Sequence, residues 1–256
     1  MLNFTKRKGV FVLIEIVREV GKRSLQNKKT IVEGLTLPVP KEKKGKKQHV
    51  VIIDFHLQTQ KVMLSIIEVS DQTPHEFLWV GNADGANSPQ WYATTTNVEY
   101  LLNQTIPNLL HMWPREDAYH QKLEQVLNTF FLTMTIQKRT EERYKYVTNP
   151  AFFGGELRSN EAKKAKSEIT KIFFEYLKKN YSFTPEDIAL YSLSIDGELL
   201  VYHSKYQKLI MSEKESVFED GIQGICSVTG RTEEVTGTVT KLQFKYYVND
   251  KLNFAS

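Results

Sequence analysis

The sequence predicts an α+β fold in which helices are mixed with antiparallel sheets and β-hairpins. Three observations predict it. Residues 160–180 carry Ala162, Ala165, Ile169, Ile172, Phe173 and Tyr176 as one apolar stripe at helical spacing. Residues 49–57 and 60–69 are two runs rich in Val, Ile and Phe, split by a short polar break, which reads as a hairpin. Asp196-Gly197 lies between the runs 189–195 and 198–203, and this dipeptide tolerates the positive φ of a tight turn.

Taken in chain order, residues 10–23 read as a helix, with Val10, Ile14, Val17 and Val20 on one face and Gly21 near the end. Residues 24–40 look irregular, because Pro38 and Pro40 exclude regular pairing. A low-complexity basic loop follows, Lys41-Glu42-Lys43-Lys44-Gly45-Lys46-Lys47. Glu76 to Gly81 is expected to form a third strand. The segment Asn82 to Gln90 is dense in turn residues. Residues 97–110 and 115–131 read as helices, with Pro107 and Pro114 as breaks. Asn160 is the expected cap of the helix at 160–180. On that helix Lys163, Lys164, Lys166 and Lys171 alternate with Glu161, Glu168 and Glu175, the pattern of a solvated face. Residues 206–212 would extend the second sheet. A last strand pair is expected at 233–239 and 241–248, turning near Thr240. Asn149-Pro150 and Gly154-Gly155 mark a candidate boundary. It would separate an α+β region, 1–155, from a helix followed by hairpins, 156–256, with a single domain as the alternative.

The chain has 256 residues, 41% hydrophobic and 11% aromatic, enough to bury a core and to exclude global disorder. Its single cysteine, Cys226, leaves no internal disulfide and suits a reducing cytosol. The apolar stretch Val10 to Val17 is interrupted by Glu15 and is too short to span a bilayer. A cytoplasmic protein with no membrane partner is therefore expected. The net charge of +4 is unevenly spread: residues 1–47 hold 13 Lys/Arg against 4 Glu, a balance of +9. The other 209 residues hold 21 Lys/Arg against 26 Asp/Glu, a balance of −5. Such asymmetry suits an anionic partner near the N-terminus, nucleic acid first; a solvated loop serving solubility is the plainer reading.

Most familiar catalytic signatures are absent from the sequence, although an active site can also assemble from distant residues. No Gly-rich loop ends in Lys-Ser/Thr, and there is no dinucleotide fingerprint, nucleophile elbow or zinc-spaced histidine pair. Asp54 and His56 fall on one face of a strand, as an acid–base pair or simply a polar strand face. One cysteine cannot build a thiolate zinc cluster, so no metal and no cofactor are expected. Asn82, Asn87 and Gln90 carry both donor and acceptor, which suits reading an adenine edge, with Trp91 and Tyr92 as anchors. The alternative is a turn whose side chains satisfy their own backbone.

Several segments together resemble one family. Trp79-Val80-Gly81-Asn82, Gly85-Ala86-Asn87-Ser88-Pro89-Gln90-Trp91 and Asn97-Val98-Glu99-Tyr100-Leu101-Leu102 resemble the N-terminal region of CRISPR-associated large subunits of type I-B. Cys226-Ser227-Val228-Thr229-Gly230 resembles a Cys-x-Val-Thr-Gly element of type I large subunits more widely, and a segment like Asp250 to Ser256 follows it there. The family's chains run about twice as long. The resemblance thus implies an N-terminal piece, a truncation or a short form, without the family's helical C-terminal region. It also implies a non-catalytic subunit of an RNA-guided surveillance complex. Such a subunit would recognise the protospacer-adjacent motif in double-stranded target DNA, contact guide RNA and neighbouring subunits, and recruit a separate nuclease-helicase. On this reading the DNA-binding candidates are Lys41, Lys43, Lys44, Lys46 and Lys47 for phosphates, and Asn82, Asn87 and Gln90 for the motif. Two competing readings remain: an assembly protein that binds partner subunits and guide RNA without reading DNA, and an unrecognised hydrolase.

Overall fold

The most apolar runs pair at the centre of the fold. A computed structural model describes residues 35–82, 89–219, 222–225 and 232–235. The chain divides into two units, residues 35–203 and residues 1–34 with 204–256.

In the first unit, β1 (Glu42–Lys43) and β2 (Lys46–Lys47) form a minimal hairpin that leads into β3 (His49–His56). β3 pairs antiparallel with β4 (Lys61–Glu68), from His49↔Glu68 to His56↔Lys61, as the hairpin signal predicts. On its other side β3 runs parallel to β8 (Ile188–Ile195). β8 also pairs antiparallel with β5 (Thr94–Thr95) and β9 (Glu198–Leu199), so the order is β4-β3-β8-β5 with β9 beside β8. β3 and β8 are covered on both faces, which explains their nearly unbroken apolar sequences. Val50, Val51, Ile53 and Leu193 are fully buried. One face packs Val50 and Leu190 against Val69, Phe77 and Trp79, with Leu37 and Val39 at the margin. Tyr191, next along β8, meets Phe173 edge to face, with ring centroids 6.2 Å apart. The strands that pair here come from both sides of residue 155.

Between β4 and β8 lie most of the helices. The strand expected at Glu76 to Gly81 is corrected: α1 (Thr73–Glu76) ends at Glu76, and residues 77–81 form a turn and an irregular path. Pro74 starts the helical turn, Trp79 N–H returns to the Pro74 carbonyl at 2.9 Å, and Leu78 and Gly81 take positive φ. That path cannot join a strand ladder. The helix expected at 97–110 forms as α2 (Val98–Tyr100), a π-helical segment (Leu101–Thr105) and α3 (Ile106–Met112). Pro107 supplies no N–H to the preceding turn, and the wider π segment takes up that loss. α4 (Ala118–Phe130) is capped by Asp117, whose carboxylate accepts the Tyr119 N–H at 2.8 Å.

α4 runs straight into β6 (Phe131–Lys138), which pairs with β7 (Glu141–Thr148) as a separate two-stranded ribbon. None of the elements expected from the sequence covers this ribbon. Its root is anchored: Thr148 Oγ1 donates to the Leu102 carbonyl at 2.7 Å, and Asn149 N–H to the Phe130 carbonyl at 2.7 Å. A 3-10 turn (Pro150–Phe153) then leads to α5 (Ala162–Tyr181), the helix expected at 160–180. Ala162, Ala165, Ile169, Phe173 and Leu177 form its buried face. The expected Asn160 cap is corrected to Glu161, which makes no side-chain capping bond. The helix closes on Ser182 in the left-handed region, with Lys178 and Lys179 in its last turn, where cations favour the helix dipole. The Asp196-Gly197 hairpin forms as expected, but β9 is short and a 3-10 turn (Leu200–Tyr202) follows it.

Gly155 has a definite steric reason. A Cβ there would sit 2.6 Å from Ile172 Cγ2, a branched atom fixed close to the α5 backbone. Gly155→Ala is expected to lose about 1–3 kcal/mol through overpacking. In a double-mutant cycle by urea unfolding, Ile172→Ala should remove most of that loss, whereas purely additive effects would contradict the clash.

The second unit contains α6 (Ser204–Glu219) and a hairpin of β10 (Ile222–Ile225) with β11 (Thr232–Val235). The strand expected at 206–212 is therefore corrected to helix: Tyr206 and Ile210, both buried, are four residues apart, a helical period. The expected pair 233–239 and 241–248 is described only as far as Val235, and that part pairs with Ile222–Ile225. The expected helix at 10–23, the Cys226 to Gly230 motif and the segment from Asp250 lie outside the described residues.

Candidate nucleic-acid interface

Four of the five candidate lysines fall within the β1–β2 hairpin. Its turn needs two residues of positive φ, and Lys44 (54°) and Gly45 (74°) supply them. Gln48 ties the hairpin to the sheet: its N–H donates to the Lys41 carbonyl and its carbonyl accepts the Val69 N–H. Lys41 Nζ meets Asp71 at 2.6 Å, Lys47 Nζ meets Glu68 at 2.8 Å, and Lys46 Nζ lies 3.5 Å from Asp187. The Lys41–Asp71 and Lys47–Glu68 pairs are exposed while Asp187 is half-buried, and Lys47 is held above its usual range by hydrogen bonding and charge from Glu68. Asp187 is pushed down chiefly by hydrogen bonds from the Thr184 hydroxyl and N–H, with Lys46 adding to the shift. Lys43 and Lys44 pair with no carboxylate among the described residues. Three lysines therefore meet carboxylates across the hairpin's surroundings, and Lys43 and Lys44 do not.

The motif candidates sit differently. The Asn82 carboxamide donates to Thr96 Oγ1 at 2.9 Å and accepts from Thr95 Oγ1 at 2.8 Å, so it fastens its segment to β5. Gln90 is buried and its carbonyl accepts Asn108 Nδ2 at 2.8 Å. Trp91 and Tyr92 are buried beside it, ring to ring at 4.7 Å. Asn87 lies outside the described residues. The turn lysines and these carboxamides belong to separate segments, and Asn82 and Gln90 are held by the fold.

Asp54 and His56 do come together, with Nε2 to Oδ2 at 2.8 Å. Asp54 Oδ1 also accepts the Gly197 N–H at 3.2 Å, and Asp196 accepts the Leu57 N–H at 2.9 Å. The two carboxylates thereby stitch the end of β3 to the β8–β9 turn. Lys122 Nζ lies beside the turn, 4.0 Å from Asp196 and 3.8 Å from Glu198. Tyr119 packs on His203 at 4.3 Å. Burial first, and then the charges of Glu198, Asp196 and Asp54, push its hydroxyl far up, so it stays protonated. Among the described residues no cluster of three or more His, Cys, Asp or Glu is arranged to hold a metal ion.

The family model for the N-terminal domain of CRISPR-associated protein TM1802 matches residues 13–212. The chain belongs to the CRISPR-associated TM1802 family. The model of that family's central domain matches residues 223–256. The TM1802 N-terminal match includes the whole 35–203 unit and passes through residue 155 without a break. Between the two TM1802 matches lie residues 213–222, which include the C-terminal part of α6. No curated protein and no solved structure matched the chain. Among the described residues no helix is long and apolar enough to cross a membrane.

One surface falls outside the candidates drawn from the sequence, the β6–β7 ribbon with Arg139, Arg143 and Lys145. Its signal is present as the alternation of Thr133, Thr135 and Gln137 with Met134 and Ile136.

Proposed function

We propose that this TM1802-family chain is the large subunit, or its N-terminal part, of a type I-B RNA-guided interference complex. In this role it is non-catalytic. It recognises the protospacer-adjacent motif in double-stranded target DNA while guide RNA reads the sequence, and a separate nuclease-helicase does the cutting. It works beside the guide RNA and the other subunits of the complex, in the cytoplasm. The observation that carries the reading is family membership, with matches to the N-terminal and central domains in chain order. The β1–β2 hairpin adds a physical means: Lys43, at the end of β1, and Lys44, the first turn residue, have no competing carboxylate among the described residues and are open to phosphate. Because Lys41, Lys46 and Lys47 already face carboxylates, phosphate contact falls to Lys43 and Lys44 ahead of them.

A second reading, assembly without DNA reading, is favoured by β4. That strand ends the sheet, and its Met63 (54% exposed) and Ile67 (44% exposed) share one face, a surface suited to a neighbouring subunit. The two readings are separated by fluorescence anisotropy on duplex DNAs that differ only in the candidate motif. Motif-dependent binding supports DNA recognition. Binding that ignores the motif, or no binding at low salt, leaves assembly as the better account.

A further inference from the structure

The β6–β7 ribbon buries too little to be explained by core packing. Beyond its anchored root, residues 139–145 are exposed on both faces. A lone two-stranded hairpin is marginal in water, so the outer ribbon contributes little to stability. The antiparallel register sorts its side chains. Thr133↔Tyr146, Thr135↔Tyr144 and Gln137↔Glu142 lie on one face, and Met134↔Lys145 and Ile136↔Arg143 on the other. The first face therefore sets two tyrosines two residues apart, about 7 Å along one strand. Tyr144 is 60% exposed, and neither Tyr144 nor Tyr146 packs on another aromatic ring among the described residues. Directly opposite the tyrosines stand Thr133 and Thr135, and Gln137, opposite Glu142, continues the same face.

The charges of the ribbon narrow the partner. Arg143 is drawn to Glu141 at 3.2 Å. Arg139, at the turn, and Lys145, on the opposite face, pair with no carboxylate among the described residues. Glu142 shares the tyrosine face. Among the described side chains that is few cations for the dense phosphate track of a duplex, and one like charge is placed against it. Flat rings bordered by hydrogen-bonding side chains, with Arg139 at the turn, instead match unstacked bases, which accept any aromatic face.

We propose that the Tyr144 and Tyr146 face of this ribbon is a stacking platform for single-stranded nucleic acid, with Arg139 beside it for the backbone. The proposal takes its partner class from the function proposed above, but it concerns another segment and another strand state, so each can fail alone. The test is anisotropy of the full chain with labelled oligouridylate, oligothymidylate and a duplex DNA of fixed sequence. Tyr144→Ala is expected to weaken single-strand binding about tenfold, and Tyr144→Phe to keep it, because the ring stacks without its hydroxyl. Both variants should unfold at the urea concentration of the parent, since the side chain is exposed. The proposal is overturned if the parent binds no single strand at low salt, or if Tyr144→Ala binds as the parent does. It is equally overturned if Tyr144→Ala weakens duplex binding by the same factor, which would make the ribbon a general or duplex contact. Preference for uridylate over thymidylate would assign the platform to RNA and the reverse to displaced DNA; either supports it.

Discussion

Phe173→Ala is expected to lower the unfolding free energy by about 3–5 kcal/mol, the range for deleting a fully buried aromatic ring. Phe173 is fully buried, and its ring lies 5.3 Å from Phe153, 5.6 Å from Phe174 and 6.2 Å from Tyr191. One side chain thus joins α5, the 3-10 turn that follows the ribbon, and the central strand β8. Pro150 and Gly155 limit how far that turn can close over the space left behind. Urea unfolding followed by circular dichroism checks this, with a lower midpoint as the expected result. A loss below about 1 kcal/mol would mean that the site collapses freely and that α5 is not held to the sheet mainly through Phe173.

The second large effect is on binding. Replacing Lys43 and Lys44 together with Gln is expected to weaken duplex DNA binding by the same factor for every sequence. It should also reduce the slope of log affinity against log salt by about 2, near one unit for each phosphate no longer neutralised. Replacing both with Arg should keep the slope, because charge is retained. Replacing Lys41 and Lys47 with Gln should change it less, since those side chains already face Asp71 and Glu68. If the Lys41/Lys47 pair proved the more sensitive, phosphate would have to displace the carboxylates, and the hairpin would be held in another way on DNA. Folding is not at risk in these variants, because all four side chains lie on the surface.

Local chemistry was legible where a segment carried its own geometry. The Val/Ile runs of β3 and β4, the Asp196-Gly197 turn and the stripe from Ala162 to Phe173 each specify an element without help from the rest of the chain. The parallel pairing of β3 with β8 was not legible, because it joins residues more than a hundred positions apart and depends on cover for both faces. At 206–212 an apolar run was assigned the wrong period, although the Tyr206 and Ile210 spacing was there to be read. Glu76 to Gly81 shows tertiary context overriding β-propensity: Trp79 and Val80 are buried, but on a looped path begun by Pro74. The candidate site was legible in part. Charge density marked the β1–β2 hairpin, but only the folded chain separates Lys43 and Lys44 from the lysines braced by Asp71, Glu68 and Asp187. Composition likewise nominated Asn82 and Gln90 as readers, and their amides turn out to be engaged in hydrogen bonds or buried.

The central claim is that this TM1802-family chain recognises a short motif in duplex DNA. The most direct measurement is anisotropy of the chain with duplexes carrying a randomised protospacer-adjacent position, over a salt series. The account predicts salt-sensitive binding that favours a small set of motifs, with the preference surviving the replacement of Lys43 and Lys44 while overall affinity falls. Equal affinity for every duplex, or no binding at low salt, would contradict it.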